Sequence, residues 1–466
     1  MRRNRSNIIE MSDSYKISHW RQYPPGTTRV FSFLESRGGA FSHVTLFGLQ
    51  YIIKQYLEGV VVTKEMIDEA SEDFALHFGN ATLFNEAGWR HILNVHGGRL
   101  PVRISAIPEG TPVPISNVML TIENTDPAVP WLTNYLETLL CEVWYPTTVC
   151  TQSRVMRQVI LEALEKSGDP AGVDFKLHDF GFRGSTSVES SGIGGAAHLV
   201  NFNGTDTMSA LKVAREFYGE RMAGFSIPAA EHSTITSWGR EHEGDAYANM
   251  LRSFPTGPVA VVSDSYDIFH ACRQLWGAEL KVEVIERDGV LIVRPDSGDP
   301  PTVVLRVLDI LGEAFGTTIN SKGYRLLHPK VRVIQGDGID LAMIQNILGA
   351  IIAAGWSADN IAFGSGGGLL QKVDRDTCKF AFKCSAIEIN GAWHDVSKDP
   401  ITDHGKKSKA GRLKLVRRGD SVATVTEEQS VEVNLLVPVF ENGQLLVDQS
   451  FSDIRSRARA VAPILV

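Results

Sequence analysis

Residues 290–298 read Val-Leu-Ile-Val-Arg-Pro-Asp-Ser-Gly, a four-residue apolar run that stops on an arginine and an acidic, turn-forming cluster. A run this short, bounded by turn formers, predicts a strand buried on both faces. The same pattern recurs on either side, at Phe175–Phe180, Gly224–Pro228, Val259–Val262, Val331–Ile334 and Asn360–Phe363, each followed by a helix-like segment. Strand starts roughly every 30–40 residues are the spacing of βα units in a barrel or a doubly wound sheet. Both folds place ligands at the carboxyl ends of the strands, where the polar clusters of this chain fall.

Outward from this region the style changes. Toward the amino end, Thr28–Leu34, Pro101–Ala106 and Val118–Ile122 read as strands. Thr63–His77 has helical spacing, with Thr63 as N-cap and Glu65 in the first turn. Asp126–Trp144 is a mostly apolar helical stretch leading into a long helix around Gln152–Lys166. Beyond about residue 385 the chain turns polar and basic (Lys406, Lys407, Lys409, Arg412, Lys414, Arg417, Arg418) and closes with strand patterns around Val431–Val437, interrupted by Pro438. The expected division is an N-terminal α+β domain, 1–165, completed by 388–466, and an α/β barrel, 166–387, carrying the active site.

Composition narrows the function. The chain has 466 residues, 43% hydrophobic and 21% charged, with a formal net charge of -8. That balance argues against a nucleic-acid partner, but not against a small anion held in a local basic pocket. Five cysteines without a CxxC pair form neither a disulfide framework nor a zinc site and suit a reducing cytoplasm. The basic start, Met1 to Arg5, is not followed by an apolar stretch, so a signal peptide is not expected. No window approaches the roughly 18 apolar residues of a membrane span. No P-loop motif occurs, and Gly192–Gly195 reads as a helix-packing turn rather than a dinucleotide fingerprint.

The strand-end clusters are His178–Gly184, Gly204–Thr207, Ala230–Ser233, Ser263–Asp267, Arg294–Gly298, Gln335–Gly338 and Gly364–Gly368. A strand-end aspartate such as Asp264 or Asp296 is often only the N-cap of the next helix. Seven such clusters in one βα array point further, to a phosphorylated sugar. Gly336-Asp337-Gly338 and Gly364–Gly368 offer backbone N–H groups for phosphate. Asp264, Asp296 and Asp337 can bind ribose hydroxyls or Mg²⁺, and Arg294 can hold phosphate by a two-point contact.

Asp13–Lys16, Gln22–Pro25, Leu177–Gly184, Gly204–Thr207, Pro228–Thr236, Val262–Asp267, Arg294–Gly298, Ile334–Asp340 and Ala362–Lys372 together resemble the nicotinamide phosphoribosyltransferases. These are type II phosphoribosyltransferases of the nicotinate phosphoribosyltransferase-like family, and the resemblance runs from about residue 7 to about 455. It implies an irregular (β/α) barrel with a second, mainly β domain built from the terminal segments, working as a homodimer with active sites at the subunit interface. The implied reaction transfers the phosphoribosyl group of phosphoribosyl pyrophosphate (PRPP) to nicotinamide with Mg²⁺, giving nicotinamide mononucleotide and pyrophosphate in NAD salvage. ATP is implied as a coupled co-substrate, through a phosphohistidine.

The resemblance also implies roles for single residues. Phe180 stacks on one face of the pyridine ring and Tyr15 of the partner subunit on the other. Asp206 faces the carboxamide, and Arg183 contacts the carbonyl or the ribosyl phosphate. Asp264, Arg294, Asp296, Gly336, Asp337, Gly366 and Gly367 hold PRPP and product; Arg37, Arg375, Lys383, Lys398 and Lys406 hold pyrophosphate and nucleotide phosphates. His232 is the phosphorylated residue, with Glu231 expected to orient its ring. Ala381 departs from the family by replacing a small hydroxyl residue, which removes one phosphate contact. Three rivals remain: the sister nicotinate enzyme, against which Asp206 argues by charge; a non-enzymatic binding protein that keeps the fold; and a sugar-phosphate aldolase, which needs a strand-end lysine for which Lys383 is the best candidate.

Overall fold

The computed structural model describes residues 6–402 and 408–460. The chain divides into two compact units, one of residues 1–151, 216–220 and 374–466, the other of 152–215 and 221–373.

The first unit is built on a seven-stranded antiparallel sheet in the order Ala392–Asp395, Phe380–Ile389, Thr27–Ser36, Val118–Asn124, Val102–Ala106, Val437–Glu441, Gln444–Leu445. Strands from both ends of the sequence pair: Phe33 stands opposite Lys383 and Leu34 opposite Phe382. Phe33, Leu34, Ile104, Leu120, Ile122, Trp89 and Phe440 belong to one buried cluster that gives the sheet its core. Helix Lys64–Phe78 starts where expected, since Thr63 accepts the Met66 N–H, and it ends on Gly79 at φ 60°. The final strand differs from its reading. Residues 431–436 are irregular and the strand is Val437–Glu441, with Pro438 at a register shift, where a missing N–H is tolerated.

In the second unit six parallel strands run in the order Gly204–Thr205, Leu177–Asp179, Ile361–Ser365, Val331–Gln335, Asp288–Arg294, Thr256–Val262. Gly224–Pro228 is not a full strand. Phe225 bridges to Gly204 and Ala229 to Ala260, so this short segment joins the two edges and closes an irregular barrel. Pro228 shortens it by removing a ladder donor, though its carbonyl still accepts from the Ala260 N–H at 3.0 Å.

Helices pack outside the strands by one-sided apolar stripes. Val304, Val307, Leu308 and Leu311 are buried on Pro300–Phe315, and Ile344, Ile347, Leu348 and Ile351 on Leu341–Ala353, the spacing of a single helical face. Gly192 and Gly195 lie within helix Val188–Leu199 rather than in a turn. A Cβ at Gly195 would sit 2.7 Å from that of Ala210. The long helix begins at Trp144, not near residue 152, with Pro146 in its first turn, where a proline is harmless. No helix among the described residues is long and apolar enough to cross a membrane.

Candidate active site

Three of the strand-to-helix turns share one spacing. Asp264 precedes Asp267, Asp296 precedes Asp299 and Asp337 precedes Asp340, each by three residues. The second aspartate is the cap in every case: Asp267 accepts from the Phe269 and His270 N–H groups, Asp299 from Thr302 and Asp340 from Met343. Capping therefore falls to the downstream member, and the upstream member is left for the carboxyl end of the barrel.

Asp264 is used inside that turn. Its side chain is 4% exposed, and Oδ1 lies 3.0 Å from Nε2 of His232, which is 47% exposed. Oδ2 accepts from the Asp296 N–H at 3.0 Å and from the Ser297 hydroxyl at 2.5 Å. Glu231 does not orient the imidazole; its Oε1 takes the Ser233 hydroxyl instead. Asp264, distant in sequence, holds His232 because the adjacent strand end delivers it there.

Beyond Asp264 the chain of contacts continues. Arg294 donates to Asp296 Oδ1 through Nη2 at 2.8 Å and Nε at 3.2 Å, and its guanidinium carbon lies 5.7 Å from the centre of the Phe180 ring. The Phe180 N–H is fixed by the Ser365 carbonyl at 2.9 Å. Its ring lies flat on residue 364: a Cβ there would come within 1.9 Å of Cε2, so only glycine fits. At Gly336 an added Cβ would approach Arg294 Nε at 3.1 Å and Asp296 Oδ1 at 3.4 Å. Phe180, Arg294, Asp296 and Gly336 thus converge on one spot.

A cavity of about 730 Å³ opens from that spot. Phe180, Asp206, Ser226 and Arg294 stand at one end and Phe175, Lys176, Leu326 and Asp359 at the other, with Ala229, Ala260, Ile292 and Ala362 along the wall. Small strand residues leave the barrel interior open where bulky ones would fill it. Asp206 is exposed, its N–H bonds the Asp179 carbonyl at 2.9 Å, and Oδ1 accepts the Ser226 hydroxyl. Beneath it Asp179 is fully buried; burial, with the charge of Asp206 adding, pushes its carboxyl up to about 6. Burial also lowers His178, against the opposing charge of Asp206.

Arg183 is exposed in the turn Phe182–Gly184, beside which lies the Gly367 N–H: a Cβ on Gly184 would be 3.6 Å from it. Gly366 and Gly367 open the four-residue helix Gly367–Leu370, and Asp337 is exposed after its strand. Lys176, outside the strand-end clusters, is a half-buried barrel lysine. It donates to the carbonyls of Ala358, Asp359 and Ile361, and burial lowers its pKa to about 8. It stands before the strand Leu177–Asp179 and is tied up, so it does not fill the strand-end role an aldolase requires. Lys383 lies mid-strand in the antiparallel sheet of the other unit and also fails that role.

In the first unit Arg37, Lys383 and Lys398 are near enough for the two others to depress Lys383, whose burial is the larger cause. Glu35, 2% exposed, balances the group by pairing with Arg37 at 2.9 Å and with Lys409. Arg375 is 59% exposed and Tyr15 60% exposed; the Tyr15 ring packs edge-on to His19. Lys406 lies outside the described residues.

The chain as a whole is similar to known proteins. Residues 175–444 fit the model of the nicotinate phosphoribosyltransferase family, and residues 7–104 fit that of the nicotinamide phosphoribosyltransferase N-terminal domain. A nicotinamide phosphoribosyltransferase of Xanthomonas campestris pv. campestris is 53% identical over 97% of this chain and 98% of that protein. The chain belongs to the nicotinamide phosphoribosyltransferases. A second nicotinamide phosphoribosyltransferase, from Acinetobacter baylyi, is 31% identical over 97% of each chain. The fold is shared more widely. Nicotinate-nucleotide pyrophosphorylase from Pyrococcus furiosus superposes with a TM-score of 0.59 at 17% identity, covering 98% of this chain and 97% of its own. Human nicotinic acid phosphoribosyltransferase gives 0.57 at 15% identity, with 96% and 93% covered. As a nicotinamide phosphoribosyltransferase family member the chain is a pentosyltransferase built on the type II fold.

Proposed function

We propose that this chain transfers the phosphoribosyl group of PRPP to nicotinamide, forming nicotinamide mononucleotide and pyrophosphate for NAD salvage. The observation that carries the reading is Asp206 at the mouth of the barrel cavity, in the same lining as Phe180. With Oδ1 engaged by Ser226, its second oxygen is left to accept an amide N–H. A carboxylate there repels nicotinate.

The flat, weakly polar base lies on Phe180, with Tyr15 of the partner subunit as the opposite face. The pyridine nitrogen attacks the anomeric carbon, and pyrophosphate leaves through a loose, oxocarbenium-like transition state. No covalent nucleophile is required; alignment and charge neutralisation carry the rate. Arg183, Arg294, Gly336, Gly366 and Gly367 hold phosphate, and Asp296 and Asp337 the ribose or the metal shell beside it. Arg37, Arg375, Lys383, Lys398 and Lys406 take the pyrophosphate and nucleotide phosphates, which makes the homodimer the working form.

Magnesium fits the donor set. It favours one or two carboxylates with the remaining positions filled by phosphates and water. Asp296 and Asp337 would supply those carboxylates, whereas both oxygens of Asp264 are already engaged. When bound, the ion supplies neutralisation of the leaving group. Asp264 orients His232, which accepts the γ-phosphoryl group of ATP on a ring nitrogen as ADP leaves; water then releases phosphate. The five free cysteines suit a cytoplasmic setting.

The test offers nicotinamide and nicotinate in parallel with PRPP and Mg²⁺, with and without ATP, to wild type, Asp206→Ala and His232→Asn. Wild type should prefer nicotinamide by about 100-fold, as expected for a few kcal/mol of like-charge repulsion. Asp206→Ala should blunt the preference, and His232→Asn should lose ATP stimulation but keep basal turnover. Preference for nicotinate would refute the role of Asp206, and no product from either base would refute the reaction.

A further inference from the structure

His91 lies in the last turns of helix Glu86–His96 and His96 ends it, while Asp126 follows the strand Val118–Asn124. Nε2 of His91 and Nε2 of His96 each stand 2.7 Å from the same oxygen, Oδ2 of Asp126. The rings are 5.9 Å apart at 66°, so the two nitrogens approach that oxygen from different directions. The other carboxylate oxygen, Oδ1, is fixed by the Ala128 N–H at 2.8 Å, and the Asp126 carbonyl takes an N–H of Asn124 at 2.8 Å. One carboxylate oxygen is thus aimed, by the Ala128 N–H and the Asn124 side-chain amide, at the point where two imidazoles meet. The side chains are 34%, 25% and 17% exposed, which leaves a path for an ion and room for water. The negative end of the helix dipole lies beside His96 and favours a cation.

We propose that His91, His96 and Asp126 form a binding site for a divalent transition metal of the zinc type, separate from the Mg²⁺ that accompanies PRPP. The three ligand atoms lie within 4.8 Å of one another. Tetrahedral bonds of about 2.0–2.1 Å put neighbouring ligand atoms about 3.3 Å apart. Opening each 2.7 Å contact to that separation takes small side-chain rotations. Two imidazoles and one carboxylate select zinc, nickel or copper over magnesium and calcium, which prefer all-oxygen shells. With three protein ligands and water in the fourth position, the ion clamps the end of the helix Glu86–His96 to the turn after the strand Val118–Asn124. Its role is structural.

The test uses tag-free, full-length protein stripped with a chelator and titrated with zinc chloride by calorimetry. Wild type should take one tight equivalent per chain, and the ion should raise its melting temperature. His91→Gln/His96→Gln should lose that equivalent, with affinity at least about tenfold weaker, and should melt as wild type does without zinc. Crystals of wild type soaked in zinc should show an anomalous peak between the three side chains, a measurement independent of how the variant folds. Equal uptake by the double variant, a peak elsewhere, or no heat and no peak would each overturn the proposal, leaving Asp126 as the shared acceptor of two histidines.

Discussion

Replacing Asp179 by asparagine should stabilise the protein at neutral pH, because the native carboxylate is charged where water cannot reach it. The side chain has no exposed surface; Oδ1 takes the Gly181 N–H at 2.7 Å, and this bond and the Thr207 side chain offset the burial only in part. Burial pushes the group from 3.8 up to about 6. At about 1.4 kcal/mol per pH unit, that rise corresponds to about 3 kcal/mol of stability withheld from the folded state once the group ionises. The sign follows from proton uptake. Between pH 4 and pH 6 the folded chain holds a proton that the unfolded chain has released, so stability falls as pH rises through this window. Below it both states are protonated and the penalty is absent. Asparagine keeps the Oδ1 acceptor and carries no charge, so any offset from the substitution itself is constant with pH. Urea unfolding of wild type and Asp179→Asn from pH 4 to pH 8 should show the variant gaining up to about 3 kcal/mol relative to wild type across the window. A difference that stays flat with pH would refute the reasoning, because it would mean that the buried carboxyl titrates as an ordinary one.

Gly364→Ala tests the seat of Phe180. The added carbon would meet the ring at 1.9 Å, so the ring must move, and product formation should fall by about 100-fold or more while the melting temperature changes little. An unchanged KM and kcat for nicotinamide would show that the ring has no part in binding. Glu109→Ala probes the first unit, where this buried carboxylate accepts from the Gly48 N–H at 3.1 Å, the Gln50 N–H at 2.7 Å and the Tyr218 hydroxyl at 3.1 Å. Leaving three buried donors without an acceptor should cost about 3–5 kcal/mol in urea unfolding. A loss below about 1 kcal/mol would mean that water replaces the carboxylate there.

The barrel was legible because each central strand is an apolar run that ends on Gly, Asp or Arg, and Val290–Val293 and Val331–Ile334 fall inside the observed strands. Two readings missed in different ways. The long helix starts at Trp144 rather than near Gln152, because Pro146 falls in its first turn where a proline is tolerated, and Gly224–Pro228 looked like a strand but makes only two bridges. The glycines of the site carried a signal that periodicity does not use, since the need for Gly364 depends on where Phe180 rests. Glu231 was expected to orient His232 because it is adjacent in sequence; Asp264, thirty-two residues away, does so through strand order. The paired aspartates three residues apart were visible in the sequence and could have separated caps from site groups. Ser226 and Lys176 lay outside every cluster, and no local pattern marks them.

The barrel ring is continuous, but not uniformly strong. Six strands hold one another by ladders, whereas residues 225–229 join the two edges through single bridges, with main-chain bonds at Asn203, Thr205, Phe225, Pro228, Ala230 and Ala260. A closed ring under thermal agitation opens first at its weakest joint, and here the joint carries Ser226 and runs directly into Glu231 and His232. Amide exchange should therefore be fastest at Thr205, Phe225 and Ala230 among the barrel's strand amides. The loosest part of the ring is then the part that touches Asp206 on one side and leads to His232 on the other.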